Sequence, residues 1–157
     1  MLLKAIEGNN HEVITLLLKC GANPNFSDES NHLPIVAAIT EADDLGPFES
    51  DVGGPKSPET VAGLVRSIKE QVVPTVELLL ENGAVASMEE IEEATNYEMD
   101  LSESKSQPVT THITALSVAV SLIIKNKDSA QICAALGDLV RILVQHGADP
   151  LQTCHFV

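Results

Sequence analysis

Three stretches of this chain end in the same way: Leu16-Leu17-Leu18-Lys19-Cys20-Gly21-Ala22, Leu78-Leu79-Leu80-Glu81-Asn82-Gly83-Ala84 and Ile142-Leu143-Val144-Gln145-His146-Gly147-Ala148. Each is an aliphatic run closing a helix. A glycine follows where a left-handed helix end disfavours a Cβ, and then a small Ala that lets the chain turn away closely. Apolar residues at helical spacing precede all three, so the stretches predict an internal repeat. A repeat built on a helix ending predicts stacked helical pairs rather than one wrapped core.

The building material agrees. Hydrophobic residues make up 44% of the 157, but aromatics only 3% and Trp is absent, so the interior must be assembled from Leu, Val, Ile and Ala, which suits close-packed helices. A formal net charge of −14 with only nine Lys and Arg excludes a nucleic-acid surface, which needs clustered cations to neutralise phosphates. No run approaches the roughly 18 apolar residues of a membrane span, and Met1-Leu2-Leu3-Lys4-Ala5 does not open a cleavable signal. The expectation is an intracellular protein, cytoplasmic or nuclear, with no membrane partner. Cys20, Cys133 and Cys154 show no paired CxxC spacing and read as reduced thiols, the first two as buried small hydrophobes.

In chain order, a short first helix ends near Gly8-Asn9-Asn10, and a second carries Val13, Leu16 and Leu17 at i, i+3 and i+4 before Gly21 stops it. This hairpin resembles an ankyrin repeat. The family pattern is a finger, a Thr-Pro-Leu-His-x-Ala-Ala inner helix, a tight turn, and an outer helix ending Leu-Leu-Leu-x-x-Gly-Ala-Asp-x-Asn. Ala5, Glu12, Leu16 to Leu18, Gly21, Ala22, Asn23 and Asn25 fall on it. With no finger ahead of Leu2, the first unit resembles a capping repeat or a cut into a longer array.

The next finger spans Phe26 to His32, and Leu33-Pro34-Ile35-Val36-Ala37-Ala38-Ile39 supplies the inner helix, with Pro34 in the first turn. Leu33 stands where the family has its capping Thr, a loss of about 1 kcal/mol unless Ser30 or Asn31 substitutes. Residues 41–57 are acidic and rich in Gly and Pro, a loop insertion. Ser57-Pro58-Glu59 starts a helix to about residue 72, which Pro74 is expected to kink or divide before the outer helix from Thr75 to Asn82. Ser87 to Ala94 reads as a short extra helix with a capping-box start, and 97–113 as a mobile connection. Thr114 caps the third inner helix; after a polar break at Lys125 to Asp128, Ile132, Leu136, Leu139, Val140 and Leu143 form one stripe into Gly147. The glycines are 62 and 64 positions apart, about twice the family's period of roughly 33. Because 41–57 holds neither a helical pair nor a second Gly-Ala stop, three repeats with insertions fit better than extra degenerate ones. The expected architecture is an all-α ankyrin-repeat solenoid in one domain, with repeats at about 1–25, 26–86 (insertion 41–72) and 87–152 (insertion 88–110).

The acidity belongs to the insertions: net −5 over 41–59 and −6 over 88–106. Such segments would steer a basic partner. No hydrolase elbow, phosphate loop, HExxH helix or dinucleotide fingerprint is present, so no catalytic residue, cofactor or metal site is expected. His146, Cys154 and His155 lack the spacing of a metal set, and His146 better serves as a donor at a helix C-terminus. The resemblance implies a non-catalytic protein-interaction module, a monomer or part of a larger chain. Its partner is a protein, met by Phe26, Asp28, Glu29 and His32 on the finger and by Thr40 and Glu41 beyond the inner helix. It also makes Asn25 a candidate for asparaginyl hydroxylation. The alternative it implies is a structural segment of a longer array whose insertions pack on other domains.

Overall fold

A computed structural model describes residues 1–29, 31–44, 56–94 and 109–151. Helices α1 (Leu2–Glu7) and α2 (His11–Lys19) make the first pair. Asn9 takes the left-handed conformation, and the Asn10 side chain accepts the Val13 N–H at 3.2 Å to start α2. Helix α3 (Pro34–Asp44) begins on its proline, as expected, and pairs with a long outer rod made of α4 (Pro58–Ser67), a π-helical turn (Ile68–Val72) and α5 (Val73–Glu81). Helices α6 (Ala115–Lys125) and α7 (Ala130–Gln145) form the third pair. The short inner helices pack in a row, α1 on α3 and α3 on α6, while α2 lies on α5 and α7 lies on α4 and the π turn. The core between the rows is aliphatic, with Ile14, Ile39, Val76, Leu79, Leu139 and Leu143 sealed from solvent. The fold is predominantly helical and ankyrin-like.

Pro74 does not divide the rod. Proline lacks an N–H and its ring crowds the preceding turn of carbonyls. The helix widens just before it, where the Val73 N–H donates to the Ile68 carbonyl five residues back, and continues through the proline as a π-bulged helix. Local caps follow the sequence: Ser57 accepts the Thr60 N–H at 3.2 Å, and Thr114 and Ser117 form a reciprocal capping box.

The three Gly-Ala endings adopt one geometry. Gly21, Gly83 and Gly147 have φ of 88°, 92° and 92°. The N–H of the following Ala donates to a carbonyl five residues back: Ala22 to Leu17 at 2.9 Å, Ala84 to Leu79 at 2.9 Å, Ala148 to Leu143 at 3.0 Å. Each glycine N–H reaches the carbonyl three residues back, completing a Schellman motif. A Cβ built on Gly83 would meet nothing within 4 Å, so the requirement for glycine there is purely conformational. Gly83→Ala is therefore expected to destabilise by about 1–2 kcal/mol. Thermal melting should fall by about 2–4 °C for each of those kcal/mol; an unchanged melting temperature would show that the corner is not held left-handed.

Several expectations are corrected. Residues 87–94 do not form an extra helix: β1 (Glu89–Ala94) pairs antiparallel with β2 (Val109–Thr114), from Glu89 opposite Thr114 to Ala94 opposite Val109. A helix would stack Glu89 on Glu92 and Glu93, like charge on like charge, whereas Val109 to Thr114 is rich in β-branched residues and offers a strand partner. The connection expected over 97–113 is ordered from 109 onward, and 97–108 lie outside the described residues. The loop expected from residue 41 starts later, since α3 runs to Asp44, while 45–55 fall outside the described residues. In α2 the buried residues are Ile14 and Leu18, with Val13 and Leu16 exposed. Both stripes have helical spacing, and the contacts of α2 with α1 and α5 select the second. Cys20 is exposed at the corner rather than buried, and Cys133 is half-buried with its Sγ 3.3 Å from the Asn126 carbonyl.

Candidate functional site

The inner-helix face carries two adjoining cavities, of about 380 and 420 Å³. The first lies where α1, α3, β1, β2 and α6 converge; the second lies between α1 and the finger. They share Leu3 and Glu7.

The finger is closed by Asp28. Its carboxylate accepts the His32 N–H at 3.0 Å and stands 3.5 Å from His32 Nδ1, and its carbonyl accepts the Asn31 N–H at 3.1 Å, with Asn31 at a φ of 62°. Pro24 is buried beneath, and Phe26 projects outward with 68% of its surface exposed. Phe26 and Asp28 line the second cavity with Leu2 and Ala22. His32, Thr40 and Glu41 line the first. Thr40 and Glu41 sit within α3 rather than beyond it, because the helix continues to Asp44; Thr40 Oγ1 donates to the Val36 carbonyl at 3.0 Å. Glu29 is exposed and lines neither cavity.

Sequence reasoning missed the residues that build the first cavity from a distance. Val36 and Ala37 of α3 and Leu3 of α1 form its apolar wall, joined by Ile113 of β2 and Val118 of α6. Glu90 of β1, opposite Ile113 in the ribbon register, is only 5% exposed. Its carboxylate accepts the Leu33 N–H at the start of α3. Glu90 thus takes the N–H of the residue just ahead of α3, the donor that a Glu in the first turn takes in a capping box, and does not replace the side-chain acceptor that the absent Thr would have supplied. Among the described residues, the lining includes the carboxylates of Glu7, Glu41 and Glu90.

Asn25 is a clamp between two pairs. Its backbone N–H donates to Asn23 Oδ1 at 3.0 Å, its Nδ2 donates to the Gly83 carbonyl at 2.8 Å, and its Oδ1 accepts the Val85 N–H at 2.8 Å. Both ends of the amide proposed for hydroxylation are therefore occupied in the folded chain. His146 Nδ1 lies 2.8 Å from the Ile142 carbonyl, to which it donates; Cys154 and His155 lie outside the described residues. Among the described residues no group of three or more His, Cys, Asp or Glu is placed to hold a metal, and no helix is long and apolar enough to cross a membrane.

Residues 2–29, the first helical pair and most of the finger, match the ankyrin repeat family model. No curated protein matches the chain.

Proposed function

We propose that this chain is a non-catalytic protein-interaction module that docks a partner protein on the grooved inner-helix face, with Phe26 as its aromatic anchor. Ankyrin repeats generally mediate protein–protein contacts, and residues 2–29 are similar to one. The observation that carries the reading is the pair of adjoining cavities with an exposed Phe26 at the lip. Aromatic side chains in such positions supply much of the energy of protein interfaces. On this reading the three helical pairs are three divergent repeats, at about 1–25, 26–86 and 87–152, and the acidic insertions steer the partner's approach. Phe26, Asp28, His32, Thr40 and Glu41 are its contact residues, with Glu29 at the rim.

The test is affinity of the purified chain for a partner recovered by crosslinking. Phe26→Ala is expected to weaken binding about tenfold while leaving the melting temperature unchanged, because the ring is largely in solvent. Equal affinity for the two forms would place recognition elsewhere.

A second reading, in which the chain stacks against further helical units, is favoured by one observation. Val120 and Ile124 are exposed on α6. They lie about 200° around the helix from Val118 and Leu122, which face the second pair. Ile124→Glu is expected to abolish any concentration-dependent association seen by sedimentation; association that survives the substitution would remove this face from consideration.

A further inference from the structure

We infer that Asn82 is a modification site gated by the fold: the corner at Gly83 keeps it intact, and opening of that corner commits it to deamidation. Among the asparagines of the sequence, Asn82 alone precedes a glycine. Glycine lacks a Cβ, so its backbone nitrogen reaches the neighbouring asparagine Cγ with little steric hindrance. In the reaction the Gly83 nitrogen loses its proton and bonds to Asn82 Cγ, the Cγ–Nδ2 bond breaks, and ammonia leaves with that proton. Water then opens the five-membered imide on either side of the ring nitrogen. Cleavage at Cγ gives an aspartate, whereas cleavage at the main-chain carbonyl gives an isoaspartate whose backbone runs through Cγ. Asn82 and Gly83 are both exposed, so exclusion of water does not protect them. Local geometry protects them instead. Asn82 has φ of −94° and ψ of 15°, which turns the Gly83 nitrogen well away from Cβ, whereas ring closure needs the two eclipsed. Asn82 Nδ2 donates to the Leu78 carbonyl at 2.8 Å and the Gly83 N–H to the Leu80 carbonyl at 3.1 Å, so the leaving group and the attacking nitrogen are both held. From the first pair, the Asn25 side chain pins the same segment through the Gly83 carbonyl and the Val85 N–H. Both products weaken the corner: isoaspartate adds a backbone carbon between α5 and Gly83, and either product loses the Nδ2 donor and sets a carboxylate at the negative end of α5.

The test follows Asn82 by peptide mapping and mass spectrometry in the full chain, incubated at about pH 8 and 37 °C both natively and in guanidinium chloride above its unfolding midpoint. Deamidation of the folded chain is expected to be at least about tenfold slower than that of the unfolded chain. Asn25→Ala is expected to speed it severalfold under native conditions, because the segment is then pinned from one side only. Since that substitution also lowers global stability, Gly147→Ala, at the third corner, is the reference, with denaturant added to the more stable of the two until their stabilities match. Should Asn25→Ala not fold, Asn25→Asp, which keeps the acceptor for Val85 and loses the donor to Gly83, gives the same readout. Equal rates in the native and unfolded chains would overturn the gate. An unfolded chain in which Asn82 survives as long as Asn126, which precedes a lysine, would overturn the lability on which the gate rests. Asn25→Ala converting no faster than the matched Gly147→Ala chain would overturn the part given to Asn25 and leave the geometry of Asn82 itself as the gate.

Discussion

Replacing Ile39 with Ala is expected to cost about 2–5 kcal/mol of folding stability. Ile39 is 0% exposed and sits in α3, the inner helix that packs on both α1 and α6. Removing three buried carbons leaves a void between neighbours held by other helices, so the site cannot collapse freely to refill it. Chemical denaturation followed by circular dichroism would read the loss as a lower midpoint with unchanged slope. A loss below about 1 kcal/mol would mean that α3 is not the packed centre of the stack.

The second large effect is expected at Glu90. Glu90→Ala removes the acceptor of the buried Leu33 N–H and the anion at the start of α3, for an expected cost of about 1–3 kcal/mol. Glu90→Gln keeps an acceptor oxygen and should restore most of the stability, although not the charge. Equal destabilisation by both would assign the effect to the carboxylate's charge instead of the hydrogen bond. No loss in either would show that the ribbon does not cap the helix. Because Glu90 also lines the first cavity, stability and docking are coupled at this residue.

What could be read from the sequence was what short-range chemistry decides. Gly21, Gly83 and Gly147 each stand at a left-handed helix end because the preceding aliphatic run and the following Ala specify that motif within seven residues. Ser57 and Thr114 cap the helices they precede for the same reason. The inner-helix face was legible through Phe26, His32 and Thr40, which lie near the one strongly patterned repeat. The remainder depends on partners far along the chain. Glu90 reaches Leu33 across 57 positions, and Asn25 reaches Gly83 and Val85 across 58 and 60. The glutamates of 89–93 read as a helix start because Ser87 has an acid three residues on, and only pairing with Val109 to Thr114 makes them a strand. Likewise the choice of Ile14 and Leu18 over Val13 and Leu16 is made by helices α1 and α5, not by the spacing within α2. Pro74 signalled a disturbance in the rod, but a π turn can absorb it without ending the helix.

Amide hydrogen exchange at Ala22, Ala84 and Ala148, followed by NMR, tests the stacked architecture most directly. Each of these N–H groups closes a helix corner by donating to a carbonyl five residues back. All three should be protected together under native conditions and released together as denaturant is added, as one cooperative array requires. Exchange of any one of them at the rate of an open chain, while the other two stay protected, would contradict the shared corner on which the docking face is built.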